Sequence, residues 1–246
     1  MPENTITQTD TLDFSAGRRR PRVAMLVFPG MTLLDFVGPH TAWAPYCDID
    51  IVWETLDPVA TDTGLTVVPT TTFDDCPADL DVLFVPGGAV HTHALRNDTA
   101  LAFLADRGAR AGYVTSVCTG SLLLGAAGLL RGYRAATHWA TRDLLTLVGA
   151  VNSTDRVVID RNRITGGGVT AGIDFGLTLL ARMLDEEAAQ VSQLAMEYHP
   201  APPYEAGSPE QAPSSLVQAV TGMLADFSAD LTAVLKDVAS AGALRG

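Results

Sequence analysis

The chain has 246 residues, of which 47% are hydrophobic and 18% are charged, as expected for one globular domain with an appendage. Its formal charge of −12 would repel a phosphate backbone, which argues against nucleic acid as a direct partner. The three cysteines form neither a disulfide framework nor a CxxC zinc pattern, which favours a reducing, cytoplasmic setting, and no segment has the ~18 uninterrupted apolar residues of a membrane span.

The first half of the chain alternates short β-branched runs with helix-like runs. Residues 1–20 are polar and lack apolar periodicity, which predicts a disordered N-terminal tail before an α/β domain over residues 21–199. The elements predicted next, in chain order, are a strand at 23–28, a helix at 33–44 kinked at Pro39, strands at 49–54, 65–69 and 81–85, and a helix at 100–110.

The second half continues the alternation and then changes composition. It predicts a strand at 112–117, a helix at 119–130, a hairpin of strands at 157–160 and 163–165, and a helix at 169–184. Residues 200–213 are rich in Pro, Gly, Ser and Glu and predict a linker, followed by an amphipathic helix at 214–239 that docks on the core or on a partner subunit. Such βαβ alternation predicts an α/β fold with a mostly parallel sheet between helices and a C-terminal helical extension.

A candidate nucleophile, Cys118, lies where a strand gives way to a helix, as in a nucleophile elbow. A thiol at a helix N-terminus lies near unpaired N–H groups and the positive end of the helix dipole, so its pKa is expected to fall. The thiolate is the reactive form. A buried structural cysteine is the alternative interpretation. Cys47 and Cys76 lack this context and are expected to take no part.

Two further segments are predicted to meet Cys118 at the same edge of the sheet. Asp35 follows the first strand, at the edge where open α/β sheets bind ligands, although a carboxylate favoured there by the helix dipole is the alternative. Gly87 and Gly88 end the strand at 81–85 and would bring backbone N–H groups to this edge to stabilise an anion, unless they form a plain turn.

Three remaining motifs are interpreted without chemistry of their own. The stretch 166–171 matches the dinucleotide fingerprint G-x-G-x-x-A, but it lies outside the first βαβ unit, so close backbone approach is the better interpretation. His138, next to a tryptophan, is interpreted as a packed structural residue. His91 and His93 lack a third ligand, so no metal site is predicted.

Five stretches contain the residues discussed above: FPGMTLLDFVGPH, DVLFVPGG, SVCTGSLLLGAAGLL, ATHW and ITGGGVTAGIDFGLTLLARML. Together they resemble the successive motifs of the DJ-1/PfpI superfamily, over about residues 23–184. Three features resemble its isocyanide hydratase branch: an aspartate where many relatives carry glutamate, Thr119 where proteases carry histidine, and the tail EYHPAPPYEAGSPE.

The resemblance implies a flavodoxin-like core in a homodimer. It implies Cys118 as the nucleophile, Asp35 as the acid/base carboxylate and Thr119 as a neighbour contacting that carboxylate. It further implies that a loop lies against the cysteine, with residue 169 making a backbone contact; this loop contains Gly167, Val169 and Thr170.

The implied chemistry hydrates an isocyanide to an N-substituted formamide. The Cys118 thiolate adds to the isocyanide carbon while an acid delivers a proton, and Asp35 shuttles protons and activates water for hydrolysis of the thioimidate. Because Asp35 and a thiolate repel each other, the two groups are expected to titrate as a coupled unit. No metal or organic cofactor is required.

Other functions share parts of this pattern. The ligand-binding domains of AraC-type regulators carry similar motifs, but such chains continue into a basic helix-turn-helix region, whereas the tail here is acidic and short. Class I glutamine amidotransferases need a His-x-Glu that His199 does not supply. Another hydrolase or glyoxalase of the superfamily, or a thiol sensor, is the remaining alternative.

Overall fold

The computed structural model describes residues 13–15, 17–88 and 92–243. Its strands are β1 (Arg22–Leu26), β2 (Asp48–Trp53), β3 (Val59–Ala60), β4 (Thr66–Val67), β5 (Thr71–Thr72), β6 (Val82–Val85), β7 (Tyr113–Val117), β8 (Arg134–Ala135), β9 (Val151–Asn152), β10 (Val157–Asp160) and β11 (Arg163–Gly166). Its helices are α1 (Leu33–Trp43), α2 (Thr92–Leu95), α3 (Asp98–Arg110), α4 (Gly120–Ala126), α5 (Ala171–Met183), α6 (Glu186–Ala195), α7 (Ser214–Met223) and α8 (Ala225–Ala243), with a 3-10 helix at Trp139–Val148.

A seven-stranded sheet forms the centre of the fold, in the order β10-β11-β7-β6-β1-β2-β5. All neighbouring strands are parallel except β10, which runs antiparallel to β11. All four residues of β6 and of β11 are buried, as expected for strands covered by helices on both faces. The predicted α/β fold with a mostly parallel sheet between helices is confirmed.

Helices α1 and α5 pack closely because small residues line their contact. A Cβ atom on Gly172 would lie 3.3 Å from Pro39 Cδ, and one on Gly176 would lie 3.1 Å from Pro39 Cα. The indole of Trp43 donates to the carbonyl of Gly176 at 2.8 Å. This contact fixes α1, and therefore the first turn that bears Asp35, against the helix that follows β11.

Several predicted elements differ from the observed ones. The strand predicted at 65–69 is reduced to β4, which pairs with β3 in a separate ribbon, and the sheet edge is β5 instead. The helix predicted at 119–130 ends at Ala126, shortly before Gly128, which has a φ of 80° that a helix does not allow. The single helix predicted at 214–239 is divided at Leu224 into α7 and α8, and helix α6 has no counterpart in the prediction.

Helix α8 packs on the core of its own chain. Leu231, Val234 and Leu235 are buried, and the helix contacts the 3-10 helix, α2 and α4. Helix α7 has no buried residue.

The segment before β1 is tied to the domain by ion pairs. Arg18, Arg19 and Arg20 fall within the predicted disordered tail, but their guanidinium groups contact the domain. Their partners are Asp185, Asp81 and Asp48, at 2.5, 2.7 and 2.8 Å respectively.

Candidate active site

The loops after four neighbouring strands meet at one edge of the sheet. Strands β1, β6, β7 and β11 are adjacent and parallel, so their carboxyl ends lie side by side. Asp35 lies in the first turn of the helix after β1, Gly87 follows β6, Cys118 follows β7 and Gly167 follows β11. This is the edge at which open α/β sheets bind ligands.

Cys118 occupies a strained turn between β7 and α4. Its φ is 57°, a left-handed conformation that costs energy for a residue with a side chain. The turn is held because the Cys118 N–H donates to the carbonyls of Gly166 (3.1 Å) and Gly167 (2.8 Å). The Cys118 carbonyl accepts from the hydroxyls of Ser121 and Thr137, each at 3.1 Å. Both neighbouring segments thus fix the direction of the thiol.

Glycine is needed where the β6 loop meets this turn. A Cβ on Gly87 would lie 2.5 Å from the Thr119 nitrogen, and one on Gly120 would lie 2.3 Å from the Val85 carbonyl oxygen. Both distances are shorter than real Cβ contacts allow, and the atoms met are backbone. A side chain at either position would push the nucleophile turn away from the β6 loop.

The Asp35 carboxyl is completely buried beside the thiol. Its Oδ2 accepts from the Gly87 N–H at 2.9 Å. The carboxyl and the Cys118 thiol are also within hydrogen-bonding reach of each other, although Oδ1 makes no bond of regular geometry to any group in the described residues. The acid and the candidate nucleophile therefore form a pair in a site closed to bulk water, with Cys118 only 5% exposed.

Thr119 bonds to Gly88 and not to the carboxylate. Its hydroxyl accepts from the Gly88 N–H at 3.0 Å and lies 3.2 Å from the Gly88 carbonyl, to which it donates. Since the Gly87 N–H is occupied by Asp35, neither glycine has a free N–H for an anion. In this structure the two glycines position the acid and the threonine, and their anion-stabilising role stays a prediction.

Burial and mutual repulsion dominate the titration of the pair. Burial raises the pKa of Asp35 to about 7, despite the Gly87 N–H that favours the carboxylate. Burial and the adjacent Asp35 charge raise the pKa of Cys118 well above its ordinary value, despite the N–H groups of Thr119 and Val169 at its sulfur. The N–H groups at the helix N-terminus act to lower the pKa of this thiol, but burial and the Asp35 charge outweigh them, so the predicted net fall of the pKa is wrong. The two groups therefore titrate as a coupled pair, and the Cys118 thiol keeps its proton near neutral pH.

A cavity of about 430 Å³ opens beside the loop at 167–170. Gly167, Val169 and Thr170 all line it, and the N–H of Val169 also reaches the Cys118 sulfur. The rest of the wall includes His138, Trp139, Arg142, Arg156 and residues 207–210. Of the apolar side chains that could bound a substrate, Trp139 lines this cavity, whereas Phe36 and Trp43 are buried in the core.

His138 lines the cavity beside the site, whereas Cys47 and Cys76 are buried in the core. His138 Nδ1 accepts from the Ala140 N–H at 3.3 Å and burial lowers the pKa of His138, while its structural role stays a prediction. Burial raises the pKa of Cys47 to about 12 and that of Cys76 to about 11. His93 is exposed, His91 lies outside the described residues, and no group of three metal-binding side chains occurs within 13–15, 17–88 and 92–243.

Two contacts at the site were not predicted from the sequence. Thr137, which bonds to the Cys118 carbonyl, precedes His138 in the ATHW stretch, and nothing in that stretch marks the threonine as a contact of the cysteine. Asp62 accepts from the Leu33 N–H at the start of α1, 29 residues away in the chain, and no local pattern signals that contact.

The chain resembles known proteins over most of its length. The DJ-1/PfpI family model matches residues 21–182. The chain is 52% identical to an isonitrile hydratase of Pseudomonas putida over 198 residues, covering 80% of this chain and 86% of that one. It is 51% identical to a solved THiJ/PfpI family protein from Pseudomonas syringae, with a TM-score of 0.86 and coverage of 88% and 91% of the two chains.

A transcription regulator is a more distant relative. An HTH-type transcriptional regulator of Pseudomonas aeruginosa is 36% identical over 138 residues, but the match covers only 36% of the regulator and 53% of this chain. The family model, by contrast, spans the whole sheet and all four loops of the site. The chain belongs to the DJ-1/PfpI family.

Proposed function

We propose that this protein is an isocyanide hydratase, a lyase that adds water to an isocyanide to give an N-substituted formamide. The observation that carries the proposal is the buried pair of Asp35 and Cys118, whose carboxyl and thiol lie within hydrogen-bonding reach of each other. The similarity to the isonitrile hydratase of Pseudomonas putida gives the substrate class.

The first half of the reaction forms a covalent intermediate. Asp35 takes the proton of the Cys118 thiol, and the sulfur attacks the terminal carbon of the isocyanide, forming the S–C bond. The proton passes from Asp35 to that carbon, so the product is a thioimidate in which sulfur, one hydrogen and the nitrogen share the carbon. A carboxyl whose pKa is raised to about 7 is suited to both transfers, because it accepts and releases a proton near neutral pH.

The second half releases the formamide. Asp35, again a carboxylate, takes a proton from a water molecule whose oxygen adds to the thioimidate carbon. Asp35 gives this proton to the nitrogen. The new hydroxyl then loses its proton to the departing sulfur by way of Asp35, so the C–S bond breaks, the C=O bond forms, and the thiol is restored as the formamide leaves. Over the whole cycle one isocyanide and one water are consumed, and Cys118 and Asp35 return to their starting protonation.

The thiol is poorly suited to oxidation sensing, the main non-enzymatic alternative. Redox-sensor cysteines are exposed and have a lowered pKa. Cys118 is buried and its pKa is raised. A buried, protonated thiol is better suited to attack a substrate that enters the site, because the adjacent Asp35 can remove the proton of the thiol.

The test is to supply a simple alkyl isocyanide and to quantify the N-alkyl formamide by chromatography. We expect turnover by the wild type, none above background for Cys118→Ala, and a fall of about 10²-fold or more for Asp35→Asn. Cys76→Ala, which removes a buried thiol elsewhere, is the matched control and should keep full activity. A wild type without formamide production, or a fully active Cys118→Ala, would contradict the proposal.

A further inference from the structure

Asp62 lies at the edge of the site and is joined to Asp35 through the start of α1. Its side chain accepts from the Leu33 N–H at 3.3 Å, in the helical turn that also contains Asp35. The N-cap residue of α1, Thr32, makes no side-chain bond to the helix. Asp62 therefore supplies from a distant loop the acceptor that an N-cap residue ordinarily provides.

The turn that bears Asp62 is held in place on both sides. Within it, Thr61 donates to the Leu65 carbonyl through both its N–H (2.8 Å) and its hydroxyl (2.9 Å). Across to the loop after β1, the Asp62 N–H donates to the Met31 carbonyl at 2.9 Å. The position of the Asp62 carboxylate relative to α1 is thus set by backbone bonds.

The same loop after β1 is bonded to the β6 loop that holds the acid. The Thr32 N–H donates to the Gly87 carbonyl at 2.8 Å, and the Gly87 N–H donates to the Asp35 carboxylate at 2.9 Å. We propose that Asp62 is a positioning residue that orients the first turn of α1 and fixes the negative charge seen by the Asp35 and Cys118 pair.

Asp62 is the acid outside the Asp35 and Cys118 pair whose charge acts on Asp35. The Asp62 charge raises the pKa of Asp35, in addition to burial. The other titratable or charged side chains on α1 and on the packed helices α5 and α6 are His40, Asp174, Arg182, Glu186 and Glu187. Burial lowers the pKa of His40, and Asp174 is neutralised by Arg156 at 2.6 Å. The two glutamates and Arg182 are exposed, as is Asp62, but Asp62 also bonds to the first turn of α1.

The substitution Asp62→Asn removes the negative charge but keeps the helix cap, because an amide oxygen can still accept from the Leu33 N–H. Losing the negative charge makes each deprotonation of the coupled pair easier, so the rise of Cys118 reactivity with pH should move to lower pH, by roughly 0.3 pH unit. The profile shifts in the same direction whichever of the two groups loses its proton first. A purely structural role of Asp62 would not move this profile.

The experiment measures the rate of Cys118 alkylation by iodoacetamide from pH 5 to pH 10, by mass spectrometry of the Cys118 peptide. This readout needs no isocyanide turnover, so it can fail or succeed independently of the proposed hydratase activity. Asp57→Asn is the matched control, because Asp57 is an exposed acid of the neighbouring loop whose side chain bonds to Thr55. Asp62→Ser, which also removes the charge, serves as a second variant if Asp62→Asn does not fold.

A profile shifted to lower pH by Asp62→Asn or Asp62→Ser, with Asp57→Asn unchanged, is the expected result. Profiles that coincide with that of the wild type would overturn the proposal. An equal shift in Asp57→Asn would also overturn it, because the effect would then reflect total charge and not the contact with α1.

Discussion

Burial of Asp35 gives the carboxyl the proton affinity that the proposed reaction uses, and it also has a cost in stability. The ordinary pKa of 3.8 applies in the unfolded chain, and the folded value is about 7. Between these values the folded protein holds a proton that the unfolded chain releases, so the contribution of Asp35 to stability is full below pH 3.8 and falls as pH rises toward 7. The folded protein is therefore expected to be least stabilised by Asp35 above pH 7, where the carboxylate is fully formed.

Asp35→Asn should remove this pH dependence while keeping an oxygen for the Gly87 N–H. We expect the unfolding free energy of the variant, relative to wild type, to increase by on the order of 2 kcal/mol between pH 5 and pH 8. Urea denaturation at the two pH values measures the difference. Asp57→Asn, an exposed acid, should show no such trend, and a constant difference for Asp35→Asn would show that burial does not raise its pKa.

Thr119→Val keeps the side-chain shape but removes the hydroxyl that bonds to Gly88. The buried N–H and carbonyl of Gly88 would then lack this partner, which should cost about 1–3 kcal/mol of unfolding free energy. Urea denaturation measures the loss. Thr99→Val, at an exposed position of α3, should change stability by less than about 0.5 kcal/mol. Equal stability of the two variants would rule out a structural role for the Thr119 hydroxyl.

Among the helices, α8 shows that amphipathic periodicity predicts packing on the core but does not predict where a helix is interrupted. The apolar positions at 231, 234 and 235 are buried, as their spacing indicates. The break at Leu224 is not predictable from that periodicity, because apolar residues occur on both sides of it. The break separates α7, which has no buried residue, from α8, which packs on the core.

Leu235→Ala should therefore destabilise the protein by about 2–5 kcal/mol, since it leaves a cavity under α8. Leu216→Ala, on the exposed face of α7, should cost less than about 0.5 kcal/mol. The midpoints of thermal unfolding of the two variants give the comparison. Similar midpoints would mean that α8 does not dock on the core in solution.

For the molecule as a whole, the sheet and the residues that meet at the site were predictable from the sequence, but the hydrogen bonds between those residues were not. Strand and helix periodicity locates Asp35, Gly87 and Cys118 at strand ends, and parallel strands bring such ends together. Which N–H group each acceptor uses depends on ångström-scale loop geometry, so the pairing of Gly88 with Thr119 and the capping by Asp62 emerge only from the structure. The sign of the Cys118 pKa shift depends on burial, which the local motif does not encode.

The predicted homodimer is a further whole-molecule property that can be tested directly. Light scattering should give about twice the 25.9 kDa mass of one chain. Large apolar side chains are exposed on α6 and α7, including Leu194 and Met223, which supports an association. A mass equal to that of one chain across micromolar concentrations would contradict the prediction.

The central claim is that Cys118 attacks the isocyanide, and the most direct measurement is the mass of that residue during turnover. The wild type is mixed with an alkyl isocyanide, quenched in acid within milliseconds to seconds, digested and analysed by mass spectrometry. The Cys118 peptide should gain the mass of one isocyanide molecule and lose it again as formamide accumulates. Formamide production with an unmodified Cys118 peptide at every time point would show that Cys118 is not the nucleophile.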